Sequence, residues 1–339
     1  MKSEADTKKT TLGNITEYPL NWPSDQKGST HELVIDEKFI YVTGQNMHYV
    51  AKLDYDGNIL AYFEMPQGSG PHGILLDKEG KVWVSLEFHG QIVRLKDDGA
   101  IDKSVDVSME IKGSEKKINP APHGICLDAD GKSIWFTGKR TSTIGKFSLE
   151  DFSIEHFQLE NLASLPIFLS AGSNTEVWGT ELLGNAILNV NEKGKVKEFN
   201  IPTGNSRPIG IIPDPDLESE SMWFTQESGV KIGRIDKHGK ISEYPVPKLQ
   251  ENDILGSLTF DKEKNLWVQV YNPSAECYSY LLKLDKSIRE IIGFSLTEVP
   301  FTTHVLSSRK PMLHRIKMDY DGNLWFTEMM TDKIGVIRF

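Results

Sequence analysis

The chain has 339 residues, 38% of them hydrophobic, with 38 Lys and Arg against 48 Asp and Glu and a formal net charge of -10. Acids and bases are interspersed, so there is no basic stripe for a nucleic-acid backbone. No apolar run approaches the roughly 20 residues of a membrane helix. The two cysteines, Cys126 and Cys277, lie far apart in no metal-binding spacing and suit a reducing compartment.

The chain opens MKSEADTKKT, with no apolar leader segment behind it, so a cytoplasmic monomer is expected. Beyond it one unit recurs roughly every 40–50 residues, the period of a propeller blade. Six tryptophans share its context: Trp83, Trp135, Trp178, Trp223, Trp267 and Trp325. An apolar strand and an acidic turn precede each Trp, as in GPHGILLDKEGKVWVSLE (70–87), APHGICLDADGKSIWFTGK (121–139) and PMLHRIKMDYDGNLWFTE (311–328). A third strand follows, such as KIGRID (231–236), and then a fourth after a Gly turn, such as GKISEYPVP (239–247). Alternating strands joined by Asp-Gly and Lys-Gly turns specify antiparallel hairpins. Four per unit make a propeller blade.

The units are placed at about 29–66, 69–109, 121–161, 164–204, 206–247, 252–300 and 310–339, with Tyr41 standing for Trp in the first. The last lacks an outer strand, and NITEYPL (14–20) matches KISEYPV (240–246). One all-β domain is therefore expected over 1–339. It is a seven-bladed propeller of four-stranded antiparallel blades whose N-terminal strand completes the last blade and removes an exposed edge. Insertions at 109–120 and 272–309 mark candidate binding loops.

The patterns WFTxxxxxKIGRI, GKIxEYPxP and xPHGI resemble the repeats of the virginiamycin B lyase (streptogramin B lyase) family. That resemblance implies linearisation of a cyclic depsipeptide antibiotic without water, and with it a role in antibiotic resistance. A base would remove an α-proton while Mg²⁺ stabilises charge on the carbonyl. It places His314 on the base and Glu328 near the second metal ligand, shifted by one residue. Met312 stands at the first metal-ligand position, and Gly256 where the preceding blade should carry a substrate-binding His. Met312 offers no oxygen to Mg²⁺.

Each unit's first strand ends in Asp (36, 77, 128, 214, 261, 319), with Gly172 in the fourth. Five residues earlier stand His31, His72, His123, Ile167, Ile209, Gly256 and His314. Four histidines at seven equivalent positions, from only nine in the chain, far exceed chance. They fall in blades 7, 1, 2 and 3, which are contiguous once the ring closes, so they are expected to face one another at one channel mouth. Converging imidazoles suit a metal or proton transfer, although a repeated Pro-His-Gly also has a purely structural reading.

His314 and His72 are the candidate catalytic residues. His31, His123, Lys139 and Arg140 are candidate substrate-binding residues, and Glu87 and Glu328 candidate ligands of a divalent metal such as Mg²⁺. Glu181 is the weaker acid, His89 a candidate for the rim, and Cys126 a core residue. Three functions stay open: a lyase acting on a cyclic ester or similar small molecule, a metal-dependent lactone or ester hydrolase, and a non-catalytic propeller binding a peptide or protein.

Overall fold

The computed structural model describes residues 9–111, 113–287, 290 and 299–339. Residues 288–289 and 291–298 of the expected 272–309 insertion lie outside them, as does residue 112 of the other. Seven antiparallel sheets carry the seven blades, and the innermost strand of each touches the next. These strands are Thr30–Ile35, Pro71–Leu76, Pro122–Leu127, Pro166–Ala171, Pro208–Pro213, Ile254–Phe260 and Leu313–Met318. The last packs on the first, so the ring is closed.

Closure is made by the N-terminus, as the matched EYP segments predict. Strand Ile15–Pro19 pairs in antiparallel register with Lys333–Ile337, the third strand of the last blade. A short strand, Thr10–Leu12, adds a fifth that the sequence pattern does not announce. In the sixth blade the outer strand is Phe301–Val305, beyond the residue 300 expected from the repeat. The intervening chain lengthens that unit enough to displace its end. Residues 109–120 carry a two-stranded hairpin, Met109–Glu110 with Lys117–Ile118.

The repeated Trp and Asp have linked roles. Trp83, Trp223, Trp267 and Trp325 donate their indole N–H to Asp77, Asp214, Asp261 and Asp319 at 2.9–3.0 Å. The same Asp caps its turn; Asp77, for example, accepts from the backbone of Glu79 and Lys81. The rings fill the seams. Trp223 of the fifth blade packs with Leu255, Leu258 and Val268 of the sixth, and Trp325 with Leu33 and Val42 of the first. Each seam is thus buried by two blades that could not bury it alone.

Candidate functional site at the histidine mouth

In every blade the pairing of the innermost strand with the second slips by one residue at the same place. Examples are Thr30 to Leu33, Pro71 to Ile74, Pro122 to Ile125 and Leu313 to Ile316. Such a bulge sets two residues opposite one and re-aims their side chains. All four repeated histidines sit in it.

In the four histidine blades a hydroxyl on the second strand fixes the bulge. Thr43 Oγ1 accepts from Glu32 N at 3.0 Å and donates to His72 O at 2.8 Å. Ser85 does the same for Gly73 N and His123 O, and Thr327 for Arg315 N and His31 O. The glycine after His72 belongs to this architecture, since a Cβ there would sit 2.4 Å from His123 O. Gly210 meets a similar wall but follows Ile209. Pro-His-Gly is therefore structural in its glycine, whereas the histidine is a separate choice.

The imidazoles converge as expected. The ring centres of His31 lie 5.0 Å from His72 and 5.0 Å from His314, His72–His314 is 5.6 Å, and His72–His123 is 3.5 Å. Each Nδ1 has an outward partner. His31 is 2.6 Å from Ser29 O, His72 3.3 Å from His123 O and His123 3.0 Å from Ile167 O. His314 Nδ1 is 2.9 Å from Glu32 Oε1. A carbonyl opposite Nδ1 makes it the donor in His31, His72 and His123, which leaves those Nε2 atoms a bare lone pair, whereas His314 Nδ1 and Glu32 Oε1 meet as a close charge contact outside hydrogen-bond geometry.

Glu32, absent from the sequence candidates, is buried and shared between His314 and Arg315, whose Nε lies 2.5 Å from Oε2. Arg315 in turn stacks over Phe168, 4.3 Å from its ring centre. Below this pair the channel opens into a cavity of about 470 Å³, lined by Lys317, Tyr320, Cys126 and apolar side chains of the innermost strands. A signal for Glu32 and Arg315 existed: each directly follows its histidine, where blades 2 and 3 carry Gly.

Glu87 joins the mouth. It binds Lys139 at 3.0 Å and accepts from Gln45 Nε2 at 2.5 Å, a chain of side chains spanning blades 1 to 3. Glu87, His72 and His123 each bring a donor atom within 4.8 Å of the others, as do His31, His72 and His314. Asn119, from the 109–120 insertion, closes over the backbone of Glu87 and Phe88.

Glu328 is placed elsewhere. It pairs in register with Leu313, the position Leu86 holds opposite Pro71, so it is one residue out of phase with Glu87. One residue in a strand reverses the face. Glu328 accepts from Thr331 and lies among Glu17, Ser308 and Lys333, beside the closing strand, and it belongs to neither group of potential ligands. Glu181, at the same register opposite Pro166, follows it. Arg140 and His89 are exposed. Cys126 packs against the Trp135 cluster, and burial raises its thiol pKa, as suits a core residue.

Burial, with nearby positive groups, lowers the pKa values of His31, His72 and His123. His31 falls to about 3, through burial and then His314. His72 and His123 also fall well below the ordinary value, through burial first. Groups lowered in this way contribute stability that is present above about pH 6.5 and lost as pH falls, up to about 1.4 kcal/mol per pH unit each. Glu328 and Glu181, both raised to about 8 chiefly by burial, act oppositely. The stability from their retained protons declines as pH rises from about 4.5 to 8, and so offsets the histidines over that window. Below about 4.5 the offset ends, and Glu32, held low by Arg315 and His314 against its burial, adds its own loss. Urea titrations should therefore show stability falling more steeply from pH 4.5 to 3.5 than from 6.5 to 5.5. Equal slopes would mean that the buried imidazoles take up protons in the folded state.

The virginiamycin B lyase family model matches residues 108–274. A virginiamycin B lyase from Nocardia farcinica (strain IFM 10152) is 24% identical over 206 residues, covering 52% of this chain and 70% of that one. The crystal structure of selenomethionine-substituted virginiamycin B lyase from Staphylococcus aureus is 25% identical, with a TM-score of 0.77 over 96% of this chain and 99% of that one. A catalytically inactive variant of the S. aureus enzyme with quinupristin is 25% identical, with a TM-score of 0.75 over 95% and 98% of the two chains. Together with the repeats and the closed seven-bladed ring, these matches make the chain similar to the virginiamycin B lyases in fold and repeat pattern.

Proposed function

We propose that the chain opens a small cyclic ester by elimination at the histidine mouth, with His314 as general base. The observation that carries this reading is the Glu32–His314 pair at 2.9 Å, which orients an imidazole whose side chain keeps 17% exposure. In the reaction Nε2 takes a proton from the carbon next to the carbonyl. The C–H electrons form a double bond to the adjacent carbon, and that carbon's ester C–O bond breaks to release a carboxylate. The buried Glu32 carboxylate stabilises the imidazolium that forms. Lys139, half-buried at the rim, brings positive charge towards the developing enolate, with Arg140, His31 and His123 around the substrate.

Magnesium does not fit the residues present. It demands oxygen ligands, yet the mouth presents imidazole nitrogens, and both Glu87 oxygens are engaged by Lys139 and Gln45. Met312 and the displaced Glu328 supply no replacement. The elimination is therefore assigned to this chain's own groups.

Quinupristin, the ligand in the relative's structure, is the probe. Incubation should give a linear product of unchanged mass with no label from ¹⁸O-water. A product that gains a labelled oxygen would establish hydrolysis instead, and the absence of both conversion and binding would overturn the reading.

A further inference from the structure

The four Nδ1 atoms at the mouth each face a carbonyl or carboxylate oxygen. With Nδ1 facing those oxygens, Nε2 is the nitrogen left to each ring, and His31, His72 and His314 each bring one nitrogen within 4.8 Å of the others. His72 Nε2 is buried and has no hydrogen-bond partner among the described residues, and His72 as a whole is 1% exposed. Converging lone pairs in a water-poor pocket repel one another unless a cation sits between them. An unpartnered acceptor there is costly.

The ring geometry identifies the cation. An ion 2.0–2.1 Å from three imidazole nitrogens at tetrahedral angles sets the ring centres about 5 Å apart and inclines the rings to one another. His31, His72 and His314 have centres 5.0, 5.0 and 5.6 Å apart and interplanar angles of 60°, 64° and 76°. Their outer nitrogens hold the partners that orient a metal-binding histidine, a carbonyl or a carboxylate. The alternative group, His72, Glu87 and His123, is poorer. Two of its rings are only 3.5 Å apart at 34°, and its carboxylate is held by an ammonium.

We propose that His31, His72 and His314 form a three-imidazole site for one divalent late first-row transition ion of the zinc class, leaving a fourth position open. Nitrogen donors of this softness select zinc, cobalt, nickel or copper over magnesium. This rests on the elimination reading in one respect: the ion takes the Nε2 lone pair assigned there to the base, so the metal-bound and eliminating states exclude each other.

The test starts from chelator-stripped protein titrated with Co²⁺, read by visible absorption and followed by displacement with Zn²⁺. One Co²⁺ per chain with the intense visible bands of four-coordination is expected, and Mg²⁺ at large excess should not displace it. His31→Ala, His72→Ala and His314→Gln should each abolish the bands, and Glu32→Gln should weaken binding roughly 10–100-fold, the usual effect of removing an outer partner. His123→Ala and Glu87→Gln should leave the bands in place. Circular dichroism verifies folding, and His314, the most exposed of the four rings, offers a variant with little packing load. Absence of the bands in folded wild-type protein, or their loss in His123→Ala but not in His31→Ala, overturns the site. The bands need no turnover, so a protein that binds Co²⁺ but leaves quinupristin intact keeps the metal site and loses the elimination reading. Turnover unchanged at saturating Zn²⁺ overturns the exclusion.

Discussion

Deleting residues 1–21 is expected to cost most of the stability of the fold. The deletion removes strand Ile15–Pro19, whose five residues pair with Lys333–Ile337 and seal the last blade. Ile15 and Leu20 are almost wholly buried, and Tyr18 stacks on Trp325 with ring centres 6.3 Å apart. At about 1.5–3 kcal/mol per large buried side chain, these three alone account for roughly 5–9 kcal/mol. That is comparable with the whole stability of a typical domain. The deletion also strips Glu17, which accepts from Ser307 and Ser308 and lies 3.5 Å from Lys333, itself buried. An ammonium left buried without its carboxylate adds a further cost. Asp332 would remain, tying the last blade to the first through the backbone of Gly28 and Ser29, but that bond cannot fill the open seam. Chemical denaturation reads the outcome, and Leu20→Ala should show a part of the same loss, about 2–5 kcal/mol. A truncated protein that melts with the parent would mean that the ring is not closed in this way.

The fold was legible because its signals are repeated and local. Trp, Asp and the Gly turns recur in each unit, and each has one physical role, so seven weak patterns reinforce one another. Ring closure was legible for the same reason, as NITEYPL carries the outer-strand pattern at the wrong end of the chain. The histidines were legible only by aligning blades, because no two of the four are neighbours in sequence. What stayed hidden depends on the bulge. A one-residue slip turns both His31 and Glu32 inward, whereas strict alternation sends one of them away, so Glu32 and Arg315 went unread. The register also separates Glu328 from Glu87. Glu87 and Glu328 both follow a Trp, but they differ by one residue in register, and that difference puts one at the mouth and the other beside the closing strand.

His314→Ala is expected to lower kcat on quinupristin by roughly 10²–10⁴-fold, the usual contribution of a positioned base. The fold should tolerate the change, because the ring is the most exposed of the four and belongs to none of the packed seams. Glu32→Gln tests how that base is held. The amide keeps the shape and still offers an oxygen to Nδ1–H, but it removes the charge that the imidazolium needs when it forms. An interaction that strengthens only as the proton moves appears in kcat rather than KM. The variant should therefore lose turnover with little change in KM, by less than His314→Ala does. Arg315, left without its carboxylate, would also be freed towards Phe168 and the cavity, so a variant of that partner is the necessary control. Arg315→Lys keeps a cation beside Glu32 and should retain turnover far better than Glu32→Gln. If Glu32→Gln instead raises KM at constant kcat, Glu32 shapes the pocket and the base lies elsewhere among the imidazoles.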